Sequence, residues 1–442
     1  MMSQTTEKLD FKQILPVFVI LLVDLLGLTI IIPLLPLYAA SYGASPWLIG
    51  LLGAAYPAMQ FIGAPILGGL SDRYGRRPIL LVSQVGTFIG FILLGFANGL
   101  PILFLSRLVD GISGANIATA QAVITDSTTE KTRTQGLGLV GAAFGLGFII
   151  GPIIAFVTLA ATGGKYPWVA FVAAAFSLAS IVLTFFWLPE SLPAEKRGQP
   201  NTRPKIGLTA MWHHLQQPVL GYLLALMFFQ QFAFGGYENF LSLFTLSRLG
   251  MGARDNAALF VVAGILIVLV QGYFVGRWSR QYGERWLITV GLVVLGLGLV
   301  LSAITPTQVV PWYDRAKMQT ELAQRSAVDL IAVPLPAADA NKSWLGLVWL
   351  VIALVPTALA GGVLQPAINS LLTKGVPKVE AGSILGVSAA FFSAANALTP
   401  LILGGLYQTL GSTAPFLTGG LILWVLWAIS TRVLPKTQTT AA

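Results

Sequence analysis

The sequence contains no cysteine, only two histidines, and just 10% charged residues in a chain of 442. The missing cysteine excludes disulfides, thiolate metal sites and cysteine nucleophiles. His213 and His214 stand side by side in a polar stretch, where they read as solvated side chains. No H-E-x-x-H or other paired-ligand spacing is present, so no metal or other cofactor is expected. There is no Walker sequence, which argues against ATP-driven pumping within the chain. The one G-x-G-x-x-G match, Gly136 to Gly141, opens an apolar run with no strand before it, so dinucleotide binding is not expected. No nucleophile–base constellation stands out, and the chain does not read as an enzyme. The shortage of charge says most. A soluble domain carries roughly 25% charged residues, and a chain this poor in them needs lipid as its solvent.

Present in quantity are apolar residues, 55% of the chain, with 47 glycines and 25 prolines. The mean hydropathy is +0.79. A membrane span needs about 20 apolar residues to cross roughly 30 Å of hydrocarbon. Twelve such segments are expected, at 14–38, 46–70, 78–97, 100–124, 135–161, 167–188, 217–245, 256–277, 285–304, 344–373, 380–408 and 412–433. The start of the chain reads as polar sequence leading into the first span rather than as a cleavable signal. Of the 26 lysines and arginines, 18 fall in segments on the same side as the N-terminus, 7 on the other, and Arg107 lies inside a span. This bias predicts a cytoplasmic membrane protein with both termini in the cytoplasm. It also accounts for the net charge of +9 without a nucleic-acid partner. The expected fold class is an all-α membrane protein. Its organisation is a six-helix bundle over 1–188, a polar cytoplasmic linker over 189–216 and a second six-helix bundle over 217–442. A long outer loop, 305–343, contains a glycosylation sequon at Asn341 and reads as a short surface helix or a cap over the outer mouth.

The two halves repeat one another. Gly68-Gly-Leu-Ser-Asp72-Arg73-Tyr-Gly75-Arg76-Arg77 joins spans two and three, and Gly276-Arg-Trp-Ser-Arg280-Gln-Tyr-Gly283-Glu284-Arg285 stands at the matching place in the second half. The glycine spacing is kept and Asp72 is replaced by Arg280. The first stretch resembles the loop-2/3 signature of the major facilitator superfamily, G-x-L-x-D-R-x-G-R-R. That resemblance implies the twelve-helix fold in two pseudo-repeats, transport by alternating access, and an inner latch formed by Gly68, Asp72, Arg73, Gly75, Arg76 and Arg77. On physical grounds Gly68 is expected to let helices approach closely and Gly75 to make a tight turn. Leu103-x-x-x-Arg107-x-x-Asp110-Gly111 is similar to the family's span-four motif, whose arginine is linked to proton coupling. Gly147-x-x-x-Gly151-Pro152 resembles the antiporter motif of exporters, without the two glycines that end it. Asp24 to Pro36, Ile124-Thr125-Asp126 and Leu188-Pro189-Glu190-Ser191 resemble the tetracycline-efflux branch of drug:proton antiporters. The acidic residues expected in spans three and nine of tetracycline exporters are absent.

Charges inside spans mark the places to look. An ionisable side chain at the bilayer centre costs a few kcal/mol on insertion scales, so it faces a partner or a cavity. Asp24 lies about 15 Å into span one at about 1.5 Å per residue, where a carboxyl that binds and releases a proton would serve coupled transport. Arg107 has Asp110 one turn away as its nearest partner. The pair reads as a coupling element or as a structural ion pair. Glu238, in span seven, sits among Gln231, Tyr237 and Asn239 beside the glycine pair Gly235-Gly236, which is expected to loosen the helix. These four are candidates for substrate contact.

The sequence thus predicts a monomeric secondary transporter, a proton-coupled exporter of small lipophilic compounds. A symporter or facilitator importing a small metabolite is the alternative on the same fold. A transport-inactive membrane sensor or scaffold is the alternative of another kind.

Overall fold

The computed structural model describes residues 11–114, 116–128, 133–197, 216–323, 333–376 and 381–434. His213, His214 and most of the linker 189–216 lie outside them. Apolar chain in lipid must satisfy every backbone polar group within its own segment, which helices do. The described residues follow that rule. They form α1 (Phe11–Ile31), α2 (Leu35–Ala40), α3 (Pro46–Tyr74), α4 (Arg76–Gly95), α5 (Leu100–Ser113), α6 (Asn116–Asp126), α7 (Arg133–Thr162) and α8 (Tyr166–Trp187). After the linker come α9 (Pro218–Leu249), α10 (Ala253–Leu269), α11 (Val275–Ala303), α12 (Arg315–Ala323), α13 (Leu345–Lys374), α14 (Ala381–Leu410) and α15 (Ala414–Val433).

Ten of the described helices are long and apolar enough to cross a membrane. The segment 100–124 is occupied by α5 and α6, and residue 115 between them lies outside the described residues. The segment 256–277 is α10 followed by one π-helical turn, Val270–Phe274, that runs directly into α11. The stretch named α11 turns at Gly283 (φ 78°, ψ 160°), so the joint expected between the spans at 256–277 and 285–304 falls there.

Two compact units emerge, one of Met1–Ile32 with Ala58–Thr202, the other of Pro33–Pro57 with Arg203–Ala442. In the first, α1 packs on α7 and α8, and α4 packs on α5 and α8. In the second, α9 packs on α14 and α15, and α11 packs on α13 and α15. The same neighbour pattern therefore recurs. The core of the first unit is built from Ile14, Val17, Leu21 and Leu25 of α1, with Leu80, Val123, Ile124 and Ala143 closing around them. Buried hydroxyls and amides tie its helices together. Gln84 donates to Ser180 Oγ at 2.6 Å, and Ser180 donates to the Ile20 carbonyl at 3.3 Å.

The described parts of the long loop 305–343 form a small built structure on the second unit. Val309 N–H donates to the Asn341 carbonyl, and Ser343 N–H donates back to the Val309 carbonyl. The Tyr313 ring covers Gly250 (φ 67°), and its hydroxyl donates to the Pro336 carbonyl at 2.8 Å. The expected short helix is α12; residues 324–332 lie outside the described residues.

Candidate functional site

The signature turn is organised by one buried guanidinium. Gly75 (φ 109°, ψ 157°) sits in backbone space that side chains rarely enter, and it starts α4 at Arg76. Arg76 reaches Asp72 Oδ1 at 2.5 Å, Asp126 Oδ2 at 3.0 Å and Ser71 Oγ at 2.7 Å. Glu190 caps the helix that begins here. It accepts from the Arg76 and Arg77 backbone N–H groups at 2.9 and 3.3 Å, where the helix dipole favours an anion. A Cβ on Gly75 would lie 2.5 Å from Glu190 Oε2. Arg77 donates to the Phe185 carbonyl and lies over that ring at 5.6 Å, which fixes the end of α8 to the turn. Arg73 is exposed, over Tyr74 at 5.3 Å. The expectation for Gly68 fails: a Cβ there would meet nothing within 4 Å. Its visible part is its carbonyl, which accepts from Ser71 at 2.8 Å.

The second unit repeats this device with its charges reversed. Gly283 takes the same kind of backbone conformation as Gly75, and the next residue is Glu284 instead of arginine. Glu284 accepts from Ser279 at 3.2 Å and Ser370 at 3.0 Å, and pairs with Lys374 at the end of α13. Ser279 thus stands for Ser71 and Lys374 for Asp126. Arg285 donates to the Thr431 carbonyl on α15 at 3.1 Å, as Arg77 does on α8.

The buried charges of the first unit sit on α1 and α5. Arg107 and Asp110 are 2% and 1% exposed and pair at 3.1 Å. The helix α4 forms the wall opposite them. Its Phe91 ring lies 5.7 Å from the Arg107 guanidinium carbon. A Cβ on Gly90 would be 2.8 Å from Asp110 Cβ. The Nε and Nη2 groups of Arg107 are sealed from solvent without a hydrogen-bond partner among the described residues. Such donors are rare in folded proteins. The same Phe91 ring faces α1 on its other side, 2.9 Å from where a Cβ on Gly27 would stand. Asp24, one turn before Gly27, is buried. Gly147 and Gly151 of α7 lie against Thr29 of α1, and a Cβ on Gly151 would overlap the Thr29 hydroxyl. Pro152 is buried within the unbroken α7. The glycine motif therefore seats α7 on the helix that carries Asp24.

In the second unit, α9 runs unbroken through Gly235 and Gly236, so that pair does not loosen the helix. The reason is packing: α14 fills the space beside the glycines with Thr399 and Leu403. Gln231 donates to Asn396 Oδ1 of α14 at 2.8 Å, and Asn239 donates to the Gly235 carbonyl at 2.7 Å. Glu238 is half-buried, and its Oε1 is sealed without a hydrogen-bond partner among the described residues. Tyr237 points elsewhere, edge-on against Phe416 of α15 at 5.7 Å. The structure thus puts Gln231, Glu238 and Asn239 along one side of α9, with Tyr237 on another. Asn396 is an addition that the sequence reading did not make; it lies in an apolar span with no motif around it. Glu284 was visible only as a member of a repeat whose charges do not match, and only folding reveals that it pairs with Lys374. Asp126 and Glu190 stood in the quoted stretches, but only folding reveals that both serve the Arg76 turn.

Comparison with known proteins agrees with this architecture. The model of the Major Facilitator Superfamily matches residues 17–314. The class B tetracycline resistance protein of Escherichia coli is 28% identical over 401 residues, 88% of this chain and 87% of that protein. Multidrug resistance protein 2 of Bacillus subtilis is 30% identical over 295 residues, 65% of this chain and 72% of that protein. Among solved structures, the human organic anion transporter MFSD10 (TETRAN) is similar with a TM-score of 0.64 at 24% identity, covering 95% of this chain and 99% of that one. At that identity the likeness concerns the fold. With the repeated bundles, the signature turn and a family match over most of its length, the chain belongs to the Major Facilitator Superfamily of membrane transporters, and it is similar to the tetracycline-efflux proteins within it.

Proposed function

We propose that this transporter exports small lipophilic compounds in exchange for protons, by alternating access across the cytoplasmic membrane. The observation that carries the reading is the set of three buried ionisable groups in the first unit, Asp24, Arg107 and Asp110. Each raises the cost of placing its helix in lipid, so each needs a use that offsets it. Asp24 is the proton carrier in this reading. Arg107 and Asp110 form the coupling pair, because the unfilled donors of Arg107 let the guanidinium take another acceptor when the carboxyl is protonated. Gly147, Gly151 and Pro152 hold α7 on α1, so that a change at Asp24 moves both helices. The turn of Gly68, Asp72, Arg73, Gly75, Arg76 and Arg77 is the inner latch. Gln231, Glu238 and Asn239 contact substrate, and Tyr237 braces α9 from its other side. Similarity to tetracycline and multidrug resistance proteins supports export as the direction.

Everted membrane vesicles test the reading. With the lumen made acid by respiration, a cationic dye should accumulate inside and leave when an uncoupler collapses the gradient. Dye flux that ignores the uncoupler would contradict proton exchange and favour a facilitator.

A further inference from the structure

We infer that the inner end of the second bundle, around residues 273–286, is a docking surface for the headgroup of an anionic phospholipid. The inference follows from where the reversed charges of the repeat leave their counterparts. In the first bundle, Asp72 at the surface of the turn neutralises Arg76. Arg280 occupies the matching position in the second, and the only carboxylate in that stretch, Glu284, is buried and taken up by Ser279, Ser370 and Lys374. Arg277 and Arg280 are exposed and face no acidic partner among the described residues. Arg285 is held by the Thr431 carbonyl, and the exposed Arg432 is the next residue on α15.

Aromatic rings flank these guanidinium groups. Arg277 lies over the Tyr273 ring at 4.8 Å. Phe274 stacks on Trp278 at 5.0 Å and Tyr282 on Trp286 at 4.5 Å. Tyr273, Tyr282 and Trp286 are 57%, 44% and 43% exposed. The matching positions of the first bundle carry Pro65, Ile66, Leu70 and Pro78 around a lone Tyr74, so this belt belongs to the second bundle alone. Aromatic rings with an apolar body and a polar edge settle at the level of lipid headgroups. Arginines beside them at that depth attract anionic headgroups, and a basic pocket beside spans on this side is the form such sites take. The π-helical turn at Val270–Phe274 places an extra residue just before the belt, which rotates Tyr273 and Phe274 relative to the preceding helix.

Native mass spectrometry of the full chain released from nanodiscs provides the test, with phosphatidylcholine alone or mixed with phosphatidylglycerol. Wild type should retain phosphatidylglycerol over phosphatidylcholine by about tenfold. Arg277→Gln with Arg280→Gln should cut that preference at least about fivefold, while lysine at both positions should keep most of it. Both side chains are exposed, so the melting temperature in phosphatidylcholine should not move. Arg73→Gln in the first bundle should leave retention unchanged. Equal retention of the two lipids by wild type, or full preference in the double glutamine variant, would overturn the proposal. So would displacement of the lipid by a co-purifying acidic protein that binds the same arginines.

Discussion

At the scale of single residues, the signature turn depends on groups that admit little substitution. Arg76 satisfies two carboxylates and a hydroxyl with one planar fork. A lysine brings charge but not that geometry. Arg76→Lys should therefore lower the melting temperature of the purified protein nearly as much as Arg76→Gln. Recovery to the wild-type value in the lysine variant would mean that charge alone matters there. Gly75 meets two obstacles at once, its positive φ and the Glu190 carboxylate. Gly75→Ala should cost about 1–3 kcal/mol, read as a fall in melting temperature. Gly68→Ala should cost little, because a Cβ there has open space. If Gly68→Ala proved as damaging as Gly75→Ala, some other conformation of the transporter must bring a helix against Gly68.

At the scale of elements, the reversed repeat gives a sharper test. Glu284 and Lys374 join α11 to α13 as Arg76 and Asp126 join α4 to α6. Either single change, Glu284→Lys or Lys374→Glu, sets like charges against each other in a partly buried site. Each should destabilise the protein, and the double swap should restore most of the loss, measured as the interaction energy of a double-mutant cycle. Additive losses would show that the pair contributes nothing by its contact. The seam between α1 and α7 is tighter. Gly151→Leu drives a side chain into Thr29 and should abolish transport and stability together, whereas Thr29→Ala should be tolerated in stability. The elements themselves were largely legible in the sequence, since long apolar runs bounded by basic residues name spans directly. The joint expected between the spans at 256–277 and 285–304 falls at Gly283, whose turn stands where Gly75 stands in the first half. The signature turn was legible because its glycines and charges keep a fixed spacing. Its partners Asp126 and Glu190 were not, because they lie 50 and 114 residues away from Arg76. The candidate substrate residues were half legible: periodicity groups Gln231 with Glu238 on α9, but nothing in the sequence joins Gln231 to Asn396.

At the scale of the whole molecule, the two bundles share one plan of helix contacts and differ in what they bury. The first holds Asp24, Arg107 and Asp110, the groups proposed for proton exchange. The second holds amides and the carboxyl of Glu238 along α9, proposed for contact with a substrate. This division predicts separable defects. Glu238→Gln should change which compounds are carried, or their affinity, without abolishing the response to a proton gradient. Asp24→Asn should abolish that response while leaving substrate binding in place. The most direct measurement of the central claim is transport in proteoliposomes under an imposed pH gradient, comparing wild type with Asp24→Asn. Gradient-dependent export that vanishes in Asp24→Asn, with binding intact, is the predicted result. Full gradient-driven activity in Asp24→Asn, or wild-type flux that is indifferent to the gradient, would contradict the account.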